Sequence, residues 1–270
     1  MLRLRILTAA VLSCILAVVL FVLAPRWSVL VFGAVWTIAA WEWAGFGTLK
    51  SGLARLLYAC AIALLLLLSW QWTEDPRHLL LLLAAACIWW GVAFLWLVLA
   101  PDRRQPRLAL LCGFPVLVPA FVALARLQTA NHGSVRGPQL VLWLLLLVFA
   151  ADIGAFFAGR KFGHRKLAPR VSPGKTWEGA LGGLGAVALV AGAGAVRFGL
   201  PPAPCIAFGC AVGIFSVVGD LTESMFKRSA GLKDSGVLLP GHGGLLDRID
   251  SVTAAAPFYA LGLFGSGAIA

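Results

Sequence analysis

The sequence predicts an all-α protein, a polytopic membrane helix bundle of about nine transmembrane helices. Hydrophobic residues make up 61% of the 270 positions and charged residues only 12%, whereas charged residues form about a quarter of a typical soluble domain. Apolar runs of about 20 residues, the length that crosses a bilayer, recur along the chain. Each run is bounded by charge, proline or glycine, and the predicted limits are 6–24, 27–46, 52–71, 78–100, 107–127, 139–158, 177–196, 203–223 and 251–269.

The first apolar run has two interpretations. It follows two arginines and so resembles a secretory signal peptide. However, it is longer than the usual signal core of about 7–15 residues, and no A-x-A-like cleavage site comes before Pro25-Arg26. We therefore expect a retained first span, with cleavage as the alternative.

The distribution of Lys and Arg predicts that the N-terminus is cytoplasmic and the C-terminus outside. With that orientation most of the 22 basic residues lie in inner segments, as the positive-inside rule requires. The outer segments hold only Arg26, Arg77, Arg126, Arg136 and Arg197. The net charge of +11 is thus interpreted as loop charge, and no nucleic-acid partner is expected. The expected location is the cytoplasmic (inner) membrane, with the active site facing the cytoplasm.

The chain divides into two halves. Residues 1–138 are predicted to be a lipid-facing transmembrane scaffold of five spans, and residues 139–270 a catalytic transmembrane half of four spans with two cytoplasmic loops. The cysteines lie in or beside apolar runs without CxxC pairing, which favours small hydrophobic side chains over disulfides or a zinc site. They are Cys14, Cys60, Cys87, Cys112, Cys205 and Cys210.

The carboxylates indicate where the functional site lies. Most of the eleven fall within or beside the inner ends of spans six to nine: Asp152, Glu178, Asp220, Glu223, Asp234, Asp247 and Asp250. A carboxylate at that depth costs a few kcal/mol unless it is paired, hydrated or bound to metal. Together with the nearby Lys and Arg residues, such a group suits Mg²⁺ and a phosphorylated substrate. The alternative is a structural network of interhelical ion pairs.

Residue spacing refines this prediction. Asp220, Ser224 and Lys227 stand at i, i+4 and i+7, so one face of span eight presents an acid, a hydroxyl and an amine. Asp247 and Asp250 are three residues apart at the entry to span nine. Two carboxylates so close repel each other unless a cation lies between them.

Two glutamates leave alternatives open. Glu42 lies inside span two near its cytoplasmic end, and its side chain either reaches the interface or points into the site. Glu223 is four residues before Lys227, so a helix-surface salt bridge worth a few tenths of a kcal/mol is the simple interpretation.

A glycine-rich segment separates the two acidic pairs. Lys233-Asp234-Ser235-Gly236 is followed by Pro240-Gly241-His242-Gly243-Gly244. Glycines at this density let the backbone turn sharply, and successive N–H groups can cradle a phosphate. His242 either lies exposed in a turn or contacts that phosphate.

The loop after span six is strongly basic over 159–167, which fits anionic lipid. Its continuation, Ser172-Pro173-Gly174-Lys175-Thr176-Trp177-Glu178-Gly179, predicts that a Ser or Thr caps span seven. Lys175 would then lie at a helix N-terminus, where phosphate binding is favoured. The GxxxxGK spacing of a Walker A loop is absent, which excludes a P-loop nucleotidase.

These segments together resemble a known family. The signature is Ser224-x-x-Lys227-Arg228-x4-Lys233-Asp234-x-Gly236-x3-Pro240-x-His242-Gly243-Gly244-x-x-Asp247-Arg248-x-Asp250. It resembles the signature of the CDP-diacylglycerol synthases, also called phosphatidate cytidylyltransferases. The segments 152–160 and 172–179 are similar to that family too. Small differences are Phe156, where Tyr is expected, and Arg165, which lies near an expected Lys.

The resemblance implies a Mg²⁺-dependent reaction in which CTP and phosphatidic acid give CDP-diacylglycerol and pyrophosphate, feeding phospholipid biosynthesis. It also allows a second, monovalent cation such as K⁺, and it implies a homodimer. The implied metal ligands are Asp220, Asp247, Asp250 and Ser224. The implied catalytic residues are Asp247, Lys227, Arg228, His242 and Asp234. The implied substrate-binding residues are Lys175, Ser172, Lys233, Arg248, Asp152, Gly243 and Gly244.

Three other classes of membrane protein share some of these features. A transporter usually shows broken, repeated spans with charges near the midplane, whereas these charges lie at one face. The CDP-alcohol phosphotransferases use a DGxxAR…GxxxDxxxD string that this chain lacks. A sister transferase, acting on another phospholipid or a polyprenyl phosphate with another nucleotide, is the alternative that stays open.

Overall fold

The computed structural model describes residues 2–47, 49–101, 105–132, 135–238 and 243–267. His242 therefore lies outside the described residues. The helices within these ranges follow the predicted spans closely. They are α1 (Leu2–Phe21), α2 (Pro25–Trp43), α3 (Gly52–Trp72), α4 (Pro76–Leu99), α5 (Pro106–Thr129), α6 (Gly137–Phe162), α7 (Trp177–Phe198), α8 (Pro202–Ser229) and α9 (Asp250–Gly265).

Short elements connect the helices. Strands β1 (Asn131–His132) and β2 (Val135–Arg136) form one antiparallel hairpin, and β3 (Lys166–Ala168) and β4 (Ser172–Thr176) form another. A 3-10 helix, Leu246–Arg248, precedes α9. Four helices, α2, α4, α5 and α8, begin at proline. Proline suits the first helical position because its missing N–H would have no intrahelical partner there.

The helices fit an integral membrane protein. Six of those described are long and apolar enough to cross a bilayer, namely α3 to α8. Large apolar side chains such as Leu99, Leu189 and Val196 are well exposed on their outer surfaces, where a soluble protein would carry charge. The 16 residues of α9 span only about 24 Å, less than the hydrocarbon core. Nine complete crossings and the orientation of the termini stay predictions.

The centre of the bundle is formed by α5 and α9. Of the six apolar helices, α5 is the most buried, and it contacts α2, α3, α4, α6 and α9. Three consecutive alanines of α9, Ala254 to Ala256, have no exposed surface. The first five helices are therefore not all lipid-facing, because α5 supports the polar entry of α9 from within. The division at residue 138 stays a prediction.

Helices α6 and α7 pack closely because both carry small residues where they meet. A Cβ at Gly183 would lie 2.6 Å from the Ala151 carbonyl oxygen, and one at Gly154 would lie 2.8 Å from the Gly182 carbonyl oxygen. Small residues at such an interface let the backbones of two membrane helices approach closely.

We expect Gly183→Ala to lower the thermal stability of the protein by several degrees, because backbone atoms of α6 would have to move. Gly185→Ala is the matched control, since a Cβ there meets no atom within 4 Å. Overpacking of this kind costs about 1–3 kcal/mol, and a thermal shift assay in detergent would measure the difference. Equal melting temperatures for the two variants would contradict this account of the packing.

Most of the charged residues that the structure describes in α6 to α9 and their connections gather at one end of the bundle. The last turns of α2, α6 and α8 lie there with the first turns of α7 and α9 and with the β3–β4 hairpin. At the opposite end, Gln128 Nε2 of α5 donates to the Leu20 carbonyl of α1. The helices thus alternate in direction, as the sequence predicts, and the alternation places the polar ends together.

Candidate functional site

An open cavity of about 440 Å³ lies between α6, α7, α8 and β4. Its polar lining comes from Asp152 and Arg160 on α6, Lys175 and Thr176 on β4, and Asp220 on α8. The hairpin brings β4 to the cavity because Lys166 pairs with Thr176 in the antiparallel register. The cavity therefore joins two carboxylates and two cations from separate parts of the sequence.

Lys175 faces α8 across this cavity. Its Nζ lies 2.6 Å from Asp220 Oδ2, and both side chains keep about a quarter of their surface exposed. Thr176 is the N-cap of α7, and its hydroxyl accepts a hydrogen bond of 3.1 Å from the Gly179 amide. The predicted cap is confirmed, and Lys175 stands directly before a helix N-terminus, where anions are favoured.

The predicted polar face of α8 is confirmed in part. Ser224 Oγ donates to Asp220 Oδ1 over 3.3 Å, so the i and i+4 side chains are joined. Lys227 turns away from them. Its Nζ lies 3.1 Å from Glu223 Oε1 and 2.6 Å from Asp247 Oδ1. Two adjacent groups result, one around Asp220 and one around Lys227.

Asp247 is held by three partners. Besides Lys227, it accepts hydrogen bonds from the amides of Ser235 (3.0 Å) and Gly244 (2.8 Å), both at Oδ2. Burial raises the pKa of Asp247, but the bond and charge of Lys227 and the two amides outweigh burial and hold the pKa below its ordinary value. Asp247 is therefore an anion throughout the neutral range.

Glu223 is nearly buried, with 3% of its surface exposed. Its predicted salt bridge with Lys227 is confirmed, although the pair lies in the interior and not on a helix surface. Apart from the Lys227 contact, the Glu223 carboxylate has no hydrogen-bond partner among the described residues, and Asp247 and Asp250 are close enough to interact with it electrostatically. Asp250 begins α9 and accepts a hydrogen bond of 2.7 Å from the Ser251 amide. This cluster therefore contains more carboxyl groups than amines.

Arg228 and Ser172 lie beside the cavity in structural contacts. Arg228 Nε donates to the Val171 carbonyl over 3.4 Å, and its Nη1 donates to the Leu232 carbonyl over 3.0 Å. Ser172 pairs with Ala168 inside the hairpin. Arg228 thus ties the end of α8 to the turn between β3 and β4, and phosphate binding by either residue stays a prediction.

The remaining predicted residues border the glycine-rich segment. Lys233 and Asp234 are exposed, and a Cβ at Gly243 would lie 3.4 Å from Asp234 Cβ. Gly243 has a φ of +82°, a conformation that favours glycine. Arg248, on the 3-10 helix, is close enough to Asp152 to interact electrostatically. The structure therefore brings the two glycines and Arg248 to the edge of the site.

Two carboxylates have roles that the sequence did not assign. The carboxylate of Glu178 accepts hydrogen bonds from the amides of His164 and Arg165, over 3.1 and 3.2 Å, and so fixes the turn before β3. Glu42 is buried and accepts hydrogen bonds from the segment before α9. The position of Glu42 inside an apolar run indicated that its carboxylate has a role, but the sequence did not show which segment the carboxylate would contact.

The chemistry of the site suits a hard divalent cation. Carboxylate and hydroxyl oxygens are the ligands that Mg²⁺ prefers, and Asp220, Ser224, Asp247 and Asp250 supply them. The buried oxygens of Glu223 have no hydrogen-bond partner among the described residues besides the Lys227 contact. Within the described residues, however, no three Asp, Glu, His or Cys side chains are arranged to hold a metal ion. The types of oxygen ligand therefore suit Mg²⁺, although the described side chains are not arranged as a metal site.

Comparison with known proteins gives consistent matches. Residues 3–264 match the sequence profile of the cytidylyltransferase family. Phosphatidate cytidylyltransferase of Haemophilus influenzae is 43% identical over 96% of this chain and 97% of its own. The same-named protein of Pseudomonas aeruginosa is 42% identical over 99% and 98%. That of Synechocystis is 49% identical over 41% of this chain and 38% of its own.

Proposed function

Because the chain belongs to the cytidylyltransferase family, we propose that it transfers the cytidylyl group of CTP to phosphatidic acid, giving CDP-diacylglycerol and pyrophosphate. The observation that carries this proposal is the pair of lysine–carboxylate contacts, Lys175–Asp220 and Lys227–Asp247, beside an open cavity at one end of an apolar helix bundle. Such a site can receive a nucleotide from water and a lipid phosphate from the membrane. The two phosphates would meet at the helix ends.

The reaction is an in-line displacement at phosphorus. A phosphate oxygen of phosphatidate attacks the α-phosphorus of CTP and forms the new P–O–P linkage, and the bond from the α-phosphorus to the oxygen shared with the β-phosphate breaks. Pyrophosphate leaves with that oxygen. The attacking oxygen is already anionic, so no strong general base is required. The rate enhancement comes from positioning and charge neutralisation.

The chain supplies cations and backbone donors for this work. Lys175, at the N-terminus of α7, and Lys227, between two carboxylates, lie where negative phosphate oxygens would need neutralisation. Charged groups act more strongly in a water-poor site than in bulk water. Arg228, Lys233 and Arg248 at the rim would bind the outer phosphates.

The proposal includes Mg²⁺ held by Asp220, Asp247, Asp250 and Ser224, with Asp152, Asp234 and His242 in supporting roles. When bound, the ion would neutralise charge on the triphosphate and orient it. The proposal also includes a second, monovalent cation such as K⁺, a homodimer, and a site at the cytoplasmic face of the inner membrane. Ion replacement, mass measurement in detergent and labelling of engineered cysteines from each side of the membrane would test these points.

The first assay is conversion of phosphatidic acid by the purified protein in detergent. We expect CDP-diacylglycerol and pyrophosphate in equal amounts with CTP and Mg²⁺, and a loss of product on chelation with EDTA that added Mg²⁺ restores. Product with another nucleotide or a polyprenyl phosphate, and none with CTP and phosphatidate, would indicate the sister transferase. No product with any pair, from folded and monodisperse protein, would overturn the proposal.

A further inference from the structure

Glu42 lies in the last turn of α2, far in sequence from the residues that form the site. Only 5% of its surface is exposed, so its carboxylate does not reach solvent. Its neighbours along the chain are Trp41 and Trp43, and the helix around it is apolar. A buried carboxylate in such a helix requires partners that offset its loss of hydration.

Among the described residues, the hydrogen-bond partners of the Glu42 carboxylate all belong to the segment between α8 and α9. The Leu245 amide donates to Oε1 over 3.1 Å, and the Leu246 amide donates to Oε2 over 2.8 Å. The Ser235 hydroxyl donates to Oε2 over 3.0 Å. Ser235 and Leu245 lie on either side of residues 239–242, so one carboxylate holds both limbs of the glycine-rich loop.

The glycines of this loop make room for Glu42. A Cβ at Gly236 or at Gly244 would collide with the Glu42 carboxylate. The sequence suggested that these glycines let backbone approach a phosphate. The structure adds a second reason, because the loop must also approach a side chain from α2.

The same loop is bonded to Asp247. The Ser235 amide and the Gly244 amide donate to Asp247 Oδ2, while the Ser235 hydroxyl donates to Glu42. Ser235 therefore connects the two carboxylates directly. A displacement of the loop at Glu42 would be transmitted to Asp247 and so to its contact with Lys227.

The end of α2 is itself firmly placed. Trp43 Nε1 donates to the Ala109 carbonyl of α5 over 2.7 Å. The Trp43 ring packs on Phe226 of α8, with 5.3 Å between the ring centroids, and Phe226 immediately precedes Lys227. Glu42 thus lies at a helix end that is held against α5, at the centre of the bundle, and against α8, which carries Lys227.

We propose that Glu42 is a positioning residue that holds Ser235 and the segment 244–246 so that Asp247 stays against Lys227. This inference rests on the proposed function, because it assigns Glu42 a part in the same reaction without contact with the substrates. The carboxylate accepts hydrogen bonds from three donors on two limbs of the loop. An amide at this position has one acceptor oxygen, and its NH₂ group would face N–H donors.

The kinetic test compares Glu42→Gln with Glu74→Gln, an exposed carboxylate in the loop between α3 and α4. We expect Glu42→Gln to lower kcat by about 100-fold, because a displacement of about 1 Å at reacting groups has that effect. The KM values for CTP and phosphatidate should change by less than about threefold, since the binding lysines remain. Glu74→Gln should match the wild type.

A second variant tests the same contacts in case Glu42→Gln does not fold. Ser235→Ala removes one of the three donors, so kcat should fall by about 10-fold, less than for Glu42→Gln. The double variant should be no slower than Glu42→Gln within about twofold, because both changes act on one set of contacts. Additive losses would contradict a shared role.

Hydrogen–deuterium exchange tests the tether without substrates. In Glu42→Gln the peptide covering 243–250 should exchange faster, while peptides from α5 and α7 stay at the wild-type rate. Unchanged exchange in 243–250, or a uniform increase across the helices, would overturn the tether. Faster local exchange with an unchanged kcat would overturn the positioning role. Because the exchange measurement needs no CTP or phosphatidate, it gives a result even if the wild type fails the conversion assay.

Discussion

Asp247→Asn is expected to reduce the rate of cytidylyl transfer by at least about 10²–10³-fold, the usual cost of removing one preorganised electrostatic group. The charge is lost from a carboxylate that contacts Lys227 at 2.6 Å and two backbone amides. The amide that replaces it must direct its NH₂ group either at the Lys227 ammonium or at the amides of Ser235 and Gly244. Each choice disturbs the alignment of the site.

The stability of this variant should change little. Lys227 keeps its second partner, Glu223, at 3.1 Å, so the lysine is not left alone in the interior. Turnover with CTP and phosphatidate, together with the melting temperature in detergent, measures the two effects. Asp75→Asn is the matched control, since Asp75 is exposed and caps only α4. A variant that unfolds yet retains the wild-type turnover per folded molecule would mean that Asp247 belongs to a structural ion-pair network.

Lys227→Met is expected to abolish activity and to destabilise the fold by about 3–5 kcal/mol, the usual result when one partner of a buried ion pair is removed. Two carboxylates, Glu223 and Asp247, would then face each other without the intervening cation. Both have less than a tenth of their side-chain surface exposed. The loss of stability should be larger than for Asp247→Asn, because Lys227 pairs with two carboxylates.

A double substitution separates the two contributions. Adding Asp247→Asn to Lys227→Met removes one of the unpaired carboxylates, so part of the stability should return while activity stays lost. Lys50→Met, at an exposed lysine before α3, controls for the loss of a surface charge. Stability losses that simply add in the double variant would mean that the contact between Lys227 and Asp247 contributes nothing measurable.

The helices were largely predictable from sequence because a bilayer restricts the backbone. Without water, each N–H and C=O must be satisfied inside the segment, so an apolar run of span length becomes a helix. The runs predicted at 107–127 and 177–196 form α5 (Pro106–Thr129) and α7 (Trp177–Phe198). The cap at Thr176 was predictable for a related reason, since capping depends on residues only three positions apart.

The sequence also located the site in general terms. The cost of burying charge in an apolar bundle made the carboxylates of the second half conspicuous, and Asp152, Asp220, Asp247 and Asp250 do gather with lysines at one end. Glu178 also lies at this end, in the first turn of α7, but its carboxylate bonds to the local backbone instead. Spacing alone did not distinguish these cases.

By itself, then, the sequence determined the helices, their alternation and the family, since these depend on hydropathy, local spacing and a linear signature. The tertiary structure decided the pairings. Ser235 meets Glu42 across 193 residues of sequence, and Lys227 bonds to Asp247 on a different element as well as to Glu223 on its own helix. It also decided that α5 lies at the centre. Such contacts depend on how helices pack against one another, and the periodicity of a single helix holds no information about which neighbour its face will meet.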